Sequence, residues 1–369
     1  MTLSMAIKEE ARAVGFDAVG ISRILNSYEP SPIPSTALGT LTSASSLRLS
    51  SASKPVEPIM SKGSQQPSAS PQDSPTTLPH HLLLGRLTEW LRRGYHGTMA
   101  WMERDPAKRA NPQRVLTGCR SIISVGMNYF TNHRAHEQPG FGRIARYAWG
   151  KDYHQILGKK LVQLEARIAA LAPNAVTRSY VDTGPIMEKA WAQQAGLGWI
   201  GKHSNLVSAQ FGSWLLLGEI LTTLELDPDE PASDLCGSCS LCIQACPTEA
   251  IIVPYVVDAN RCVSYLTIEF RGPREAIPDD VASKMGNRIF GCDDCLDVCP
   301  FNLRAEITSE PAFTPSPGTL APQLDEVGNL EEQTFEETFR ESPIRRAKRQ
   351  GFIRNVSIAR ANLSHQPQS

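Results

Sequence analysis

No stretch of this 369-residue chain approaches the ~18 uninterrupted apolar residues of a membrane-spanning helix, so none is expected. Charge of one sign is missing too. The 37 Lys+Arg stand against 38 Asp+Glu, so the overall balance neither suggests nor excludes a polyanionic partner, and only a local basic patch could speak for one. The first residues, MTLSMAIKEEARAVGFDAVGI, carry acids early and read as a short amphipathic helix rather than a signal peptide; a twin-arginine signal is also absent. Cysteine is scarce outside one segment. Eight of the nine fall between Cys236 and Cys299, and Cys119 alone lies apart. Clustering of this kind without an export signal favours metal ligation in a reducing compartment over a disulfide framework, and the protein is expected in the cytoplasm.

The length accommodates two or three domains. Residues 26–79 are dominated by Ser, Pro, Thr and Ala, with little periodic apolarity, and read as a disordered insertion without chemistry. Order is expected to resume near His81, where LLLGRLTEWLRRG has apolar residues at helical spacing. SIISVGMNYF reads as a buried strand. DYHQILGKKLVQLEARIAALAP reads as an amphipathic helix stopped at Pro173, and RSYVDTGP as a strand with Asp182 at its C-terminal end. Gly184 and Pro185 are expected to open a helix over IMEKAWAQQAG that Gly196 closes. NLVSAQFGSWLLLGEILT reads as a hairpin turning near Gly212. Strands alternating with helices imply an α/β (α+β) domain over 1–25 and 80–232. A ferredoxin-like segment occupies 233–303. A Pro- and acid-rich linker and a short helical tail fill 304–369, with Arg345, Arg346, Lys348, Arg349 and Arg354 close together in sequence.

Two cysteine runs carry the chemistry: Cys236, Cys239, Cys242 and Cys246 before Pro247, and Cys292, Cys295 and Cys299 before Pro300, with Cys262 between them. A cubane needs four thiolates converging on one small object. In two-cluster bacterial ferredoxins the cysteine before Pro crosses to the other cluster. Applied here, that rule gives Cys236, Cys239, Cys242 and Cys299 to the first 4Fe-4S cluster, and Cys246, Cys262, Cys292 and Cys295 to the second. Structural zinc is the alternative; it accounts for CxxC pairs but not for two Pro-terminated runs with a three-residue step. The second run lacks one CxxC cysteine, which Cys262 replaces. Cys119 reads as an ordinary buried thiol. Two adjacent clusters form a wire that needs a terminus, and the preceding domain must hold it.

ARYAWGKDYH, YVDTGPIMEKAWAQQAGLGWIGKHSNLVS and the eight cysteines together closely resemble the epoxyqueuosine reductase family, over 1–25 and about 80–303. The resemblance implies a cobalamin-binding domain with the corrin near the first cluster. It also implies a tRNA substrate carrying epoxyqueuosine at the wobble position, reduced there to queuosine. The general acid of the family falls on Asp182, and cobalamin contacts fall on Arg109, Leu206, Leu217, Ser264, Cys292 and Asp293. Removing an epoxide oxygen calls for two electrons and a proton delivered to the leaving oxygen. Burial over an apolar corrin face would raise the pKa of Asp182 in the needed direction.

Blander readings stand beside these. Asp182 before Thr-Gly-Pro is also a turn or cap residue. Asp152, at the head of DYHQIL, reads equally as a helix cap or as a neighbour of a pocket lined by Tyr147, Tyr153 and His154. Trp191 and Trp199 read as core, and Lys202 and His203 as a solvated loop or a group near phosphate or cofactor. Arg345, Arg346, Lys348 and Arg349 form the candidate tRNA patch or a solvated helix face. An external low-potential electron donor and a monomeric state complete the expectation. Longer relatives carry a helical-repeat C-terminal domain that is curtailed here. The rival readings are a reductive dehalogenase-like cobalamin enzyme and a non-catalytic ferredoxin-type carrier.

Overall fold

All eight residues of Ser121–Asn128 are buried, a pattern that only a strand covered on both faces can produce. The computed structural model describes residues 1–24, 80–136 and 138–364, and the insertion expected over 26–79 lies outside them. Strand β2 (Ser121–Asn128) lies between β1 (Ala18–Arg23) and β4 (Leu215–Thr222), and β3 (Thr177–Tyr180) pairs with the far side of β4. Every pairing in this four-stranded sheet is antiparallel, with Ile21 opposite Ile123 and Ile123 opposite Ile220. The alternation of strands and helices therefore yields an α+β sheet, not a parallel one.

Side-chain alternation splits the core between the two faces. Ile123 and Ile220 face α1 (Leu3–Val14) and α3 (Tyr153–Leu171), which contributes Leu157, Leu161, Leu164 and Ile168. Their spacing of three and four residues makes one apolar stripe. Ile122 and Leu221 face the other way, against Leu83 of α2 (His80–Arg92) and Trp191 of α4 (Glu188–Gln194). Helix α1 starts where the Thr2 side chain accepts the Met5 N–H, and stops where Gly15 turns into the left-handed region at φ 98°. Cys119 is fully buried on the second face, and burial pushes its thiol up to about 11, so it is an inert core thiol.

Two expected elements form differently. The hairpin across 205–222 does not form: Leu206–Val207 pairs with Trp199–Ile200, whereas β4 pairs with β2 and β3. Only the turn survives, with Ser208 and Gly212 exchanging backbone hydrogen bonds at 2.7 and 3.0 Å. Pairing with β2 extends over all eight residues of β4 and buries far more than a local hairpin could. Helix α4 begins at Glu188 rather than at Pro185, and Gly184 and Pro185 belong to the bends after β3.

The C-terminal segment is docked, not trailing. Phe335, Phe339, Ile344 and Phe352 of α5 (Lys348–Ser364) pack with Trp149, Ile289 and Phe290 in one cluster. Asn355, fully buried, donates to the carbonyls of Thr267 and Ile289 at 2.8 and 2.9 Å. Arg354, expected in the basic patch, instead turns its guanidinium onto the carbonyls of Leu266, Phe270 and Gly272. The tail thereby holds the cysteine segment against the rest of the chain. Truncating the ring of Phe352, fully buried among Phe335 and Phe339, is expected to cost about 3–5 kcal/mol. Urea unfolding of Phe352→Ala and native chains under anaerobic conditions measures it; a difference within error would contradict the docked-tail picture.

Candidate active site

The eight clustered cysteines fall into two groups in space. Burial pushes the Cys242 and Cys299 thiols up, and Cys236 and Cys239 are close enough to push both further. Cys295, raised well above the ordinary thiol range by burial, feels Cys292, Cys262 and Cys246; Cys262 in turn feels Cys246. The quartets are thus Cys236, Cys239, Cys242, Cys299 and Cys246, Cys262, Cys292, Cys295, with each pre-proline cysteine crossing to the other group. Among the described residues, no three His, Cys, Asp or Glu side chains converge tightly enough to hold a single metal ion. Thiols raised in this way lose their protons on ligation, so cluster binding and folding are coupled.

Short backbone turns bring the sulfurs inward. Cys262 precedes the helix Val263–Ile268, and Cys236 and Cys239 lie on a turn closed by a 3.0 Å backbone bond. Two residues outside the cysteine segment grip the first quartet. Trp199 is buried and points its indole Nε1 at Cys236 Sγ, 3.5 Å away. Lys202 Nζ donates to the carbonyls of Gly237 and Cys239 at 2.6 and 2.8 Å. Lys202 is therefore neither a free loop cation nor a phosphate ligand. Neither role is visible in GWIGKHS, because only the folded chain sets that loop over Cys236. His203 is buried, and burial with the nearby Lys189 charge depresses it to about 4, so it stays neutral.

Asp182 ends β3 in the left-handed region, with φ 56°. Such a conformation is costly for a residue with a Cβ, and Glu188 holds it by accepting the Asp182 backbone N–H at 2.7 Å. The first turn of α3 closes on the carboxylate from the other side. Tyr153 Oη donates to Asp182 Oδ2 at 3.0 Å, and His154 Nε2 stands 3.5 Å from the same oxygen. Asp152 caps α3 by accepting the His154 N–H, and the same Oδ1 lies 2.7 Å from His154 Nδ1. Cap and pocket neighbour are one residue.

The polar groups around Asp182 favour its ionised form. The bond to His154 holds its carboxyl below the usual range; burial opposes this, and the Tyr153 hydroxyl adds to the lowering. Burial alone would lower His154, but the hydrogen bonds and charges of Asp152 and Asp182 outweigh it and raise the imidazole to about 9. The proton of this pair accordingly rests on histidine at neutral pH. Glu188 is raised to about 7 by burial and the Asp182 charge. Many atoms crowd Asp182, yet its side chain keeps 63% of its accessible area, as in an open hollow.

Lys189 joins this hollow to the clusters. Its ammonium holds Ser204 O and Asn205 Oδ1 at 2.9 and 2.7 Å, and its charge reaches Asp182 on one side and Cys262 on the other. The second quartet, not the first, is therefore the one beside Asp182. The other expected cofactor residues are distributed around these elements. Leu206 and Leu217 share an apolar cluster with Ala192 and Leu197. Ser264 lies on the helix that carries Cys262 at its cap, and Arg109 sits over the Trp101 ring at 5.0 Å. Asp293 is buried, and its Oδ2 is committed to the Arg146 backbone N–H at 2.7 Å. Two buried polar atoms on the same loop, His203 Nε2 and Ser204 Oγ, have no protein partner. These unpartnered polar atoms, close in sequence to Leu206, leave hydrogen-bonding capacity that the amide-bearing edge of a cofactor would satisfy.

The basic tail residues are partly neutralised. Arg345 pairs with Glu336 at 2.8 Å, Arg346 makes a bidentate pair with Glu269 at 2.8 Å, and Arg349 donates to Leu330 O. Lys348 is exposed. Arg345 and Arg346 nevertheless lie close enough to influence Asp152 and Asp182, which sets them at the edge of the hollow.

Residues 109–183 match the family model described as Epoxyqueuosine reductase QueG, DUF1730, and residues 235–302 match that of the 4Fe-4S double cluster binding domain. The epoxyqueuosine reductase of Synechocystis sp. is 47% identical over 279 residues, 75% of this chain and 94% of that protein. That of Escherichia coli is 42% identical over 281 residues, 75% of this chain and 73% of that one. A crystal structure of epoxyqueuosine reductase with an epoxyqueuosine-modified tRNA-Tyr stem loop superposes with a TM-score of 0.78 at 27% identity, covering 98% of this chain and 81% of that one. A Bacillus subtilis epoxyqueuosine reductase, described with its catalytic aspartate loop swung out of the active site, gives 0.77 at 26% identity, covering 98% and 82%.

Removing the Lys202 grip should loosen the first quartet alone. A Lys202→Met chain is expected to lose iron and sulfide toward half the native content while keeping the paramagnetic signal of the second cluster. Anaerobic metal analysis with electron paramagnetic resonance decides this; native iron content in the variant would show that the grip is dispensable.

Proposed function

The chain belongs to the epoxyqueuosine reductase family, and from that premise we propose how its own residues serve the reduction of epoxyqueuosine to queuosine at the wobble position of tRNA. Residues 1–25 and 80–232 hold cobalamin, 233–303 hold the clusters, and 304–369 brace both. The observation that carries this reading is the adjacency of one thiol quartet, Lys189 and the Asp182 hollow. Leu206 and Leu217 would supply the apolar face, Ser204 and His203 the polar rim, and Arg109, Ser264 and Cys292 further contacts. Asp293 is better read as a support for the Arg146 turn than as a contact. Bound there, cobalamin supplies a strongly nucleophilic low-valent cobalt, and the clusters supply electrons one at a time.

The protein residues do the rest. The left-handed turn at Asp182 aims its carboxyl into the hollow, and Glu188 keeps it there. Asp182 passes a proton to the oxygen that leaves the epoxide, since an alkoxide departs poorly unless protonated. Tyr153 holds Oδ2 in place for that transfer. Arg345 and Arg346, at the edge of the hollow, and Lys348 and Arg349, which follow them in the chain, are read as phosphate contacts. A surface cavity of about 300 Å³ beside them is lined by Arg271, Arg274, Lys348 and Arg354, with Glu275 as the one acid. An external low-potential donor, a monomeric state and a cytoplasmic location complete the proposal; no helix among the described residues is long and apolar enough to cross a membrane.

Anaerobically reconstituted chain should show a corrin absorbance band and convert an epoxyqueuosine-bearing anticodon stem loop to queuosine, read by nucleoside mass spectrometry. Replacing Asp182 by Asn is expected to lower kcat about 10²–10⁴-fold with little change in corrin content; full turnover in that variant would refute the assignment. Neutralising Arg345 and Lys348 together should flatten the dependence of log K on log salt by roughly 0.7–0.9 per lost phosphate contact. An unchanged slope would remove these residues from the tRNA interface.

A further inference from the structure

Converting an epoxide to an alkene breaks two C–O bonds and releases the oxygen as water. The balance requires two electrons, supplied through the clusters, and two protons. Asp182, ionised at rest, can carry one proton at a time to the leaving oxygen, so it must be loaded twice within a single turnover. The series behind it runs from Asp152 Oδ1, hydrogen-bonded to His154 Nδ1 at 2.7 Å, to His154 Nε2, which stands at ion-pair distance, 3.5 Å, from Asp182 Oδ2. We infer that His154, oriented by Asp152, is the proton store that recharges Asp182, so that one site delivers both protons consumed per epoxide.

This rests on the reading of Asp182 as the proton donor, and it assigns His154 a role through Asp182 rather than on the reacting oxygen. The balance of each transfer is simple. The N–H bond of His154 Nε2 breaks as the O–H bond of Asp182 Oδ2 forms, and the imidazole is left neutral to be reprotonated from solvent, to which a third of its side chain is open. Asp152 has a separate reason to be an aspartate. It caps α3 and accepts from the ring at the same oxygen, which keeps Nε2 rather than Nδ1 turned toward Asp182. The charged and titratable groups that face this series are Tyr147, Tyr153, Glu188, Lys189, Arg345 and Arg346. The buried Tyr153 and the partly buried Tyr147 are pushed up by desolvation and by the Asp182 charge, so neither is a competing proton donor near neutrality. Glu188, raised to about 7 by burial and the Asp182 charge, spends its Oε1 on the backbone N–H of Asp182 rather than on its carboxylate.

The test uses the reconstituted full chain, chemical reductant and the epoxyqueuosine stem loop, with turnover followed against pH. The native rate should hold level until His154 loses its proton, at about 9. In His154→Gln, where only the Asp182 carboxyl is left to hold the proton, the level region should disappear, with about a 10²-fold loss at pH ~8.5 and a smaller one near pH ~6. Added imidazole should restore part of the rate in His154→Ala. A native-shaped profile in His154→Gln, or a loss uniform across pH without imidazole rescue, overturns the relay. Full turnover in Asp182→Asn sinks the underlying donor assignment instead, so the two failures are distinguishable. Nuclear magnetic resonance titration gives a reading independent of turnover. The His154 imidazole should titrate at about 9 in the native chain and lower in Asp152→Asn, where Asn preserves the helix cap; an ordinary histidine value in the native chain also overturns the proposal.

Discussion

The structure depends on eight thiols, seven from two runs about fifty residues apart and Cys262 from between them, sorted into quartets with exchanged members. Neither run completes a quartet alone. Cys299 must reach the group of Cys236, and Cys246 the group of Cys292, so the two loops are bound to one geometry. Burial disfavours the thiolate form of Cys242, Cys262, Cys292, Cys295 and Cys299, and their ligation must first overcome that penalty. The stabilisation therefore arrives with the cluster, which makes metal loading part of folding. Residues far from the cysteines share in the constraint: Trp199 and Lys202 tie the first quartet to the sheet half of the molecule, while Asn355 and Arg354 tie the helix beside the second to the tail.

Around that fixed point the antiparallel sheet does the positioning. Strand β3 ends where α3 begins on the neighbouring layer, so Asp182 meets the Asp152–His154 turn at hydrogen-bond range. The turn at Asp182 is held against its backbone preference by Glu188, a cost on the order of 1–3 kcal/mol for a residue with a side chain in this region. Strain of this kind persists only where the surroundings over-determine it. The relative described with its catalytic aspartate loop swung out shows that the corresponding loop of that protein has a second position. In this chain the Asp182 backbone N–H donates to the Glu188 carboxylate at 2.7 Å.

Electrostatics at the site is set by its neighbours: a histidine and a tyrosine reach the Asp182 carboxylate and favour its ionised form. The acid–base character of the site consequently belongs to the Asp152–His154–Asp182 series, not to one residue. Reduction of an epoxide consumes more than one proton, so a series suits the chemistry better than a lone acid.

Local pattern alone indicated most elements and the cysteine runs. The 3.6-residue stripe of α3, the buried run SIISVGMN and the CP-terminated cysteine runs each state their role within a few residues, because periodicity and ligand spacing are short-range properties. Strand partners were another matter. The segment 205–222 carries a valid turn at Gly212, yet β4 gains more by pairing with β2 across 90 residues than with its neighbour, and no local signal weighs that choice. The same holds for which quartet lies beside Asp182, for Lys202 turning onto the Cys236 loop, for Arg354 sinking among carbonyls, and for His154 holding the proton. Each depends on what a side chain meets across the fold, and burial and charge at that distance exist only once the chain has closed upon itself.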